Sequence, residues 1–149
     1  MGENLSPEIL DMMLDAQRAE RTEHLVYHRL ALRSGDTENG RLLERISQDE
    51  LAHYNFWKRY TGQEVAPDTV KAWSYGLISR LFGLTFAVKL MERGEQSAQT
   101  LYKAVAREVP QALRIAEEED EHEHALLGML DEERLRYIGS MVLGLSDAL

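Results

Sequence analysis

The chain contains no cysteine and only three prolines in 149 residues. Without cysteine there are no disulfides, no thiolate metal sites and no thiol catalysis, and a reducing cytoplasm is a compatible setting. Scarce proline leaves long stretches of mixed charged and apolar residues free to be helical. Positive charge is also in short supply. Seventeen Lys and Arg face 26 Asp and Glu, a formal net charge of −9. That balance argues against a nucleic-acid partner, which would require a basic face, and suits a protein that attracts cations. No run is long enough to span a bilayer, which takes about 20 apolar residues. The nearest is Tyr137 to Leu149, apolar and rich in small residues. It reads as a final helix packed on the body or on a partner, or as the first turns of a membrane segment. Met1 to Pro7 is polar and lacks the apolar core of a signal peptide. What remains, 44% hydrophobic and 29% charged residues, is ordinary for one globular domain with a proper core.

The periodicity predicts an all-α chain. Ser6-Pro7-Glu8 places a cap residue before a proline at the first helical position, and Gly35 stops that helix after Ser34. A second helix starts after Asp36-Thr37 and ends near Gly62. Gln63 to Thr69 is the longest connector, and Val70 to Ser79 a short helix within a crossover from one end of a bundle to the other. A third long helix is expected over Arg80–Glu108 and a fourth from Pro110 to about Leu130, with Asp131-Glu132-Glu133 heading a short last segment. The expected architecture is a four-helix bundle with a crossover between helices 2 and 3, a domain over residues 1–131 and a C-terminal helical segment over 132–149.

Two Glu-x-x-His pairs carry the chemistry, Glu50/His53 and Glu119/His122. Leu43, Ile46, Glu50, His53, Trp57 and Tyr60 recur at spacings of three and four, one inward stripe. In the acidic run of the last long helix two frames compete. Ile115, Glu119, His122, Leu126 and Met129 form a continuous apolar face, whereas Glu121 and His124 share a polar one, so the first frame is assigned inward. Helix 1 supplies Glu20 in its stripe, followed seven residues on by Tyr27; the third helix repeats that offset with Glu95 and Tyr102. Glu23 fits the same face as Glu20, which is preferred because its offsets to Tyr27 and Ala31 repeat in the third helix, and Glu92 sits one turn before Glu95 on the edge of its stripe; both are additional candidate ligands. Tyr27 and Tyr102 could hydrogen-bond the carboxylates from behind. A single Glu-x-x-His is usually a surface pair, Tyr27, Trp57 and Tyr102 read first as core packing, and His24 and His28 as core edge.

Four buried carboxylates without lysine or arginine in the inward stripes are not tolerable alone, because each unpaired buried charge costs several kcal/mol or is neutralised by a pKa shift. Two divalent cations balance Glu20, Glu50, Glu95 and Glu119, and each histidine adds one nitrogen ligand. Mixed oxygen and imidazole ligation suits iron or manganese, and zinc would accept it.

With these motifs in hand, the chain resembles the ferritin-like superfamily, and the four-helix domain of rubrerythrin in particular. Glu20-x6-Tyr27, Glu50-x-x-His53, Glu92-x-x-Glu95 and Glu119-x-x-His122 match its motif order over residues 8–130. The resemblance implies a ferritin-like bundle holding two iron ions that react with dioxygen or hydrogen peroxide, as a ferroxidase or a peroxide-scavenging oxidoreductase. The segments A-E-R-T-E-H-L-V-Y-H-R-L-A, F-G-L-T-F-A-V-K-L-M-E-R-G-E and D-E-E-R-L-R-Y-I-G-S-M-V-L-G-L-S-D-A-L look like membrane-bound ferritin-like proteins. Those join such a domain to a membrane domain of the vacuolar iron transporter family. That resemblance implies a domain at the cytoplasmic face of a membrane that binds iron and delivers or senses it for an attached transporter. Rubrerythrins usually also carry a four-cysteine iron module, which this sequence lacks. A homodimer is the expected assembly, since bundles of this kind often pair through a helix face. A helical interaction domain with purely structural Glu and His is the reading from a different class.

Overall fold

The computed structural model describes residues 5–84, 87 and 100–146, with side chains described as far as Met129. Among the described residues the chain is helical throughout, with no strand. Helix α1 covers Pro7–Ser34 and α2 covers Glu38–Thr61. Ser6 caps α1 by accepting from the Ile9 amide at 3.4 Å, and Thr37 caps α2 by accepting from the Gly40 amide at 3.0 Å. Gly62 ends α2 at φ 65°, a left-handed conformation that costs a residue without Cβ little. Helix α3 covers Thr69–Phe82, with Asp68 as its cap. Residues 100–105 are helical and lead through a turn containing Pro110 into α4, Ala112–Ser146.

Two boundaries differ from expectation. The short helix does not pass at Arg80 into the next one; α3 runs on to Phe82 and stops at Gly83, whose φ is 88°. The last segment does not restart at Asp131 either. Helix α4 continues unbroken to Ser146, because Leu130 to Tyr137 contains neither glycine nor proline and the three acids are simply interior helical positions. The expected third helix lies mostly outside the described residues.

The core has two apolar clusters with a polar layer between them. One gathers Ile9, Met13, Ala16, Trp57, Tyr102, Val105, Ile115 and Ala116. The other gathers Val26, Tyr27, Leu30, Ala31, Leu43, Ile46, Ala72, Leu126 and Met129. On α1, α2 and α4 alike, the residues between these clusters are the glutamates and histidines of the Glu-x-x-His reading. Helices α1 and α2 are therefore antiparallel, and α4 runs in the direction of α1. The connector follows α1: the Gln63 carbonyl accepts from Gln17 Nε2 at 2.9 Å, and the Asp68 amide donates to Thr22 Oγ1 at 2.9 Å. Farther along, Arg33 Nη1 donates to Ser79 Oγ at 2.8 Å, fixing α3 on the end of α1.

Candidate metal centre

Three helices bring Glu20, Glu50, His53 and Glu119 together. All four are buried, and one ligating atom from each lies within 4.8 Å of the others. Helix α1 brings Glu20, one turn after Ala16 and two before Tyr27. Helix α2 brings Glu50 and His53, which its 3.6-residue period sets on one face. Helix α4 brings Glu119. This group can hold a metal ion.

The atoms at its centre face one another without pairing off. His53 Nδ1 lies 2.9 Å from Glu119 Oε1, 3.4 Å from Glu50 Oε2 and 3.6 Å from Glu20 Oε2. None of these four atoms has a hydrogen-bond partner. Buried polar atoms are nearly always satisfied, so four orphans converging on one point describe a ligand set better than a finished hydrogen-bond network. Their other ends are well anchored. Glu20 Oε1 accepts from Trp57 Nε1 at 3.0 Å and from the Tyr102 hydroxyl at 2.9 Å. Trp57 and Tyr102 stack with ring centroids 5.7 Å apart.

Protonation reflects the crowding. Burial pushes the Glu50 carboxyl well above the ordinary range, and the Glu20 charge adds to it. Burial and the Glu50 charge push Glu119 up to about 8. Burial works against the Glu20 carboxylate too, but the facing His53 ring, with the Trp57 N–H on the other oxygen, outweighs it and holds its pKa low. For His53, burial opposes the proton, yet the carboxylates of Glu119, Glu20 and Glu50 that face Nδ1 raise its pKa. Among the described residues no lysine or arginine pairs with Glu20, Glu50 or Glu119; the metal-free site balances itself by taking up protons.

The two histidines are oriented by a reciprocal arrangement that the sequence reading missed. His53 of α2 meets Glu118 of α4, with Nε2 2.8 Å from Glu118 Oε2. His122 of α4 meets Asp49 of α2, with Nε2 3.1 Å from Asp49 Oδ2. Each carboxylate is placed to accept a hydrogen bond from Nε2–H, which leaves Nδ1 facing inward. The signal was present in the sequence, since each acid directly precedes the glutamate of a Glu-x-x-His pair. It was not legible because each acid serves the histidine of the other helix.

His122 is buried, with Nδ1 3.2 Å from Glu50 Oε1 and no hydrogen-bond partner. Glu50 thus presents one oxygen toward His53 and the other toward His122, whose rings lie 5.9 Å apart. Glu121 and His124 are exposed, and His124 Nδ1 meets the Asp120 carbonyl. Glu23 is half-buried and outside the group of four. Tyr27 is fully buried, and Tyr102 reaches Glu20 as described. Glu92 and Glu95 lie outside the described residues.

Removing one anchor of Glu20 tests the cluster as a network. Tyr102→Phe and Trp57→Phe keep most of the stacked packing but each leaves Glu20 Oε1 with one donor. Each is expected to cost about 1–3 kcal/mol of unfolding free energy in the metal-free protein, the usual penalty for depriving a buried charged acceptor. Urea denaturation checks this, and parent-like stability in both variants would show that these bonds do not hold Glu20.

No family model, curated protein or solved structure matches the chain. The functional reading therefore rests on the residues themselves.

Proposed function

We propose that the chain is a di-metal carboxylate domain of ferritin-like, four-helix type that binds iron. The convergence of unpartnered Nδ1 and carboxylate oxygen atoms on two sides of Glu50 carries this reading. On the first side, Glu20, Glu50, His53 and Glu119 would hold one ion. On the second, His122 and the other Glu50 oxygen would contribute to holding another, with Glu95 and Glu92 as the ligands expected from the third helix. Three or more carboxylates and two imidazoles suit iron or manganese, and accept zinc. Iron supplies one-electron exchange with dioxygen or hydrogen peroxide. The protein's own residues bind and orient. Asp49 and Glu118 fix the imidazole tautomers, Trp57 and Tyr102 fix Glu20, and the apolar clusters on either side limit water.

The role built on that site is to bind iron and to deliver or sense it for a membrane iron transporter carried by a longer form of the chain, at its cytoplasmic face. The apolar sequence from Tyr137 supports that attachment. Among the described residues no helix is long and apolar enough to cross a membrane. Peroxide scavenging is the alternative, and these 149 residues, which lack cysteine, supply no thiolate iron site of their own to pass electrons to it.

Anaerobic Fe(II) titration of the metal-free protein is expected to saturate at about two ions per chain and to raise Tm, because a ligand that binds only the folded state stabilises it by mass action. On admission of air, oxidation is expected to be stoichiometric and then to stop. Sustained turnover of peroxide with an external reductant would favour the scavenging enzyme. No saturable binding of iron, manganese or zinc would overturn the metal reading and leave a helical interaction domain.

A further inference from the structure

A surface remote from the metal centre breaks the pattern of the rest of the chain. Leu32, Val70, Trp73, Leu77 and Leu81 are 40–76% exposed. Four of them belong to α3, where at 100° per residue they fall within about 80° of one another. The opposite side of α3, with Ala72 and Ser79, is buried, so the helix is anchored on one face and bare on the other. Between α3 and the end of α1 runs a groove lined by Arg29, Leu32, Arg33, Trp73, Leu77 and Arg80. Arg33 bonds only to neutral partners there, the Ser79 hydroxyl and the Gly76 carbonyl. Among the described residues Arg29, Lys71 and Arg80 have no ion pair, and residues 69–91 contain no Asp or Glu at all. In a chain of net charge −9, this is an apolar face with an uncompensated cationic border.

We propose that this surface docks on an anionic phospholipid bilayer. Val70, Trp73, Leu77 and Leu81 enter the headgroup boundary, and Arg29, Lys71, Arg33 and Arg80 meet lipid phosphates. An interfacial helix needs this composition, with tryptophan and leucine on one face and basic residues beside it. Tryptophan is at home at that depth because its ring is apolar and its N–H is polar. A second copy of the chain fits less well. Its exposed acids Glu117, Asp120 and Glu121 have no exposed apolar residue beside them between Leu113 and Leu127, so Trp73 and Leu77 would be buried against carboxylates. The placement of α4 agrees with a bilayer. Leu126 and Met129 pack beside Leu30, Ala31 and Ala72, so α4 leaves the core at the end where this surface lies. It carries the apolar sequence from Tyr137 onward in the same direction.

The test uses the 149-residue chain and vesicles of phosphatidylcholine alone or mixed with phosphatidylglycerol. Sedimentation is expected to show binding to the mixed vesicles that weakens with salt, and little binding to the neutral ones. Arg29→Gln with Arg80→Gln is expected to lower the partition constant about 25-fold, at about fivefold per cation. Trp73→Ser with Leu81→Ser is expected to lower it about tenfold or more. All four side chains are exposed, so circular dichroism and Tm should match the parent. Trp57 is fully buried, so a vesicle-induced blue shift of emission belongs to Trp73 and should vanish in Trp73→Ser/Leu81→Ser. Equal binding to both vesicle types would overturn the proposal. So would binding unchanged in both double variants, which would assign it to the apolar tail. Self-association abolished by Trp73→Ser/Leu81→Ser, without vesicle binding, would assign the face to a second copy. Metal ligation is separable, since Glu50→Gln/Glu119→Gln should bind vesicles as the parent does.

Discussion

Glu50→Gln combined with Glu119→Gln is expected to abolish saturable metal binding and, in the metal-free protein, to raise stability above the parent at alkaline pH. Binding is lost because both residues offer oxygens at the centre of the site, and glutamine is a poor replacement for a charged ligand. The stability gain follows from protonation. Glu50 and Glu119 have pKa values above the 4.5 of an ordinary glutamate, Glu119 at about 8, so the folded protein holds protons there that the unfolded chain has released. Where the folded state binds more protons, stability falls as pH rises. For Glu119 that loss runs from about 4.5 to about 8. His53 acts in the same direction above its ordinary 6.5, since its raised folded pKa stabilises the fold at lower pH and the benefit fades as pH rises. Glu20 is lowered, so its contribution is complete by about pH 5 and does not alter the trend. Glutamine reproduces the neutral form of each acid and leaves one carboxylate, Glu20, opposite one imidazolium, His53. The variant should therefore match the parent near pH 5.5 and exceed it near pH 8.5. The gain should be about 1–4 kcal/mol, as when buried ionic groups are replaced by neutral ones of similar volume. Chemical denaturation with chelator at both pH values measures the difference and cancels surface effects common to both proteins. A parent whose metal-free stability rises over that window, or a variant less stable at both ends, would show that the cluster does not carry the protonation described.

The same proton balance would make metal binding at this site depend on pH. An ion cannot use Nδ1 of a protonated His53 or a protonated Glu119 oxygen without displacing the proton. Function and stability conflict here, because the carboxylates that make the site weaken the empty fold.

Much of this was legible in the sequence because it depends on short-range rules. Ser6, Thr37, Gly35 and Gly62 mark helix ends by their own backbone and capping chemistry, and α1 and α2 begin and end where they predict. The inward stripe placed Glu119 and His122 in the core and Glu121 and His124 outside it, since at 100° per residue a two-residue shift turns a side chain to the far face. What was not legible depends on contacts between helices. Asp49 and Glu118 lie outside the inward stripes of their own helices, and only the crossing of α2 with α4 makes each a partner of the opposite histidine. Trp57 read as packing, yet its indole N–H anchors Glu20 thirty-seven residues away. Helix α4 passes Asp131 because a favourable start composition does not by itself end a helix, and Gly128 just ahead of it stays helical rather than turning left-handed. Trp73 looked like part of a short connecting helix, and its exposure depends on which side of α3 faces α1.

Glu118→Gln and Asp49→Asn are expected to weaken metal binding about 10–100-fold each, although neither residue belongs to the group of four. Both keep the size and a hydrogen-bond acceptor but remove the charge. In the parent, Glu118 accepts a hydrogen bond from His53 Nε2–H and is also held by Arg114 Nε at 2.8 Å. Burial opposes its ionisation, but hydrogen bonds from His53 and Arg114 outweigh it and keep it a carboxylate. An ionised acceptor at Nε2 fixes the tautomer with Nδ1 free and makes that nitrogen a stronger donor to a cation; a neutral amide does this less well and can reverse its own orientation. Because the arrangement is crossed, Glu118→Gln should affect the ion beside His53, although the change lies on α4. Asp49→Asn should affect the ion beside His122, although the change lies on α2. Asp49 is the more exposed and its bond is longer, so its effect should be the smaller of the two. If the site holds two ions as proposed, calorimetric titration with Mn(II) or Zn(II) should resolve two steps. The double variant should weaken both steps, and any departure from the sum of the single losses measures the coupling through Glu50, which faces both histidines. Equal weakening of both steps by either single variant would mean that these acids act through overall charge, and unchanged affinities would reduce them to ordinary interhelical contacts.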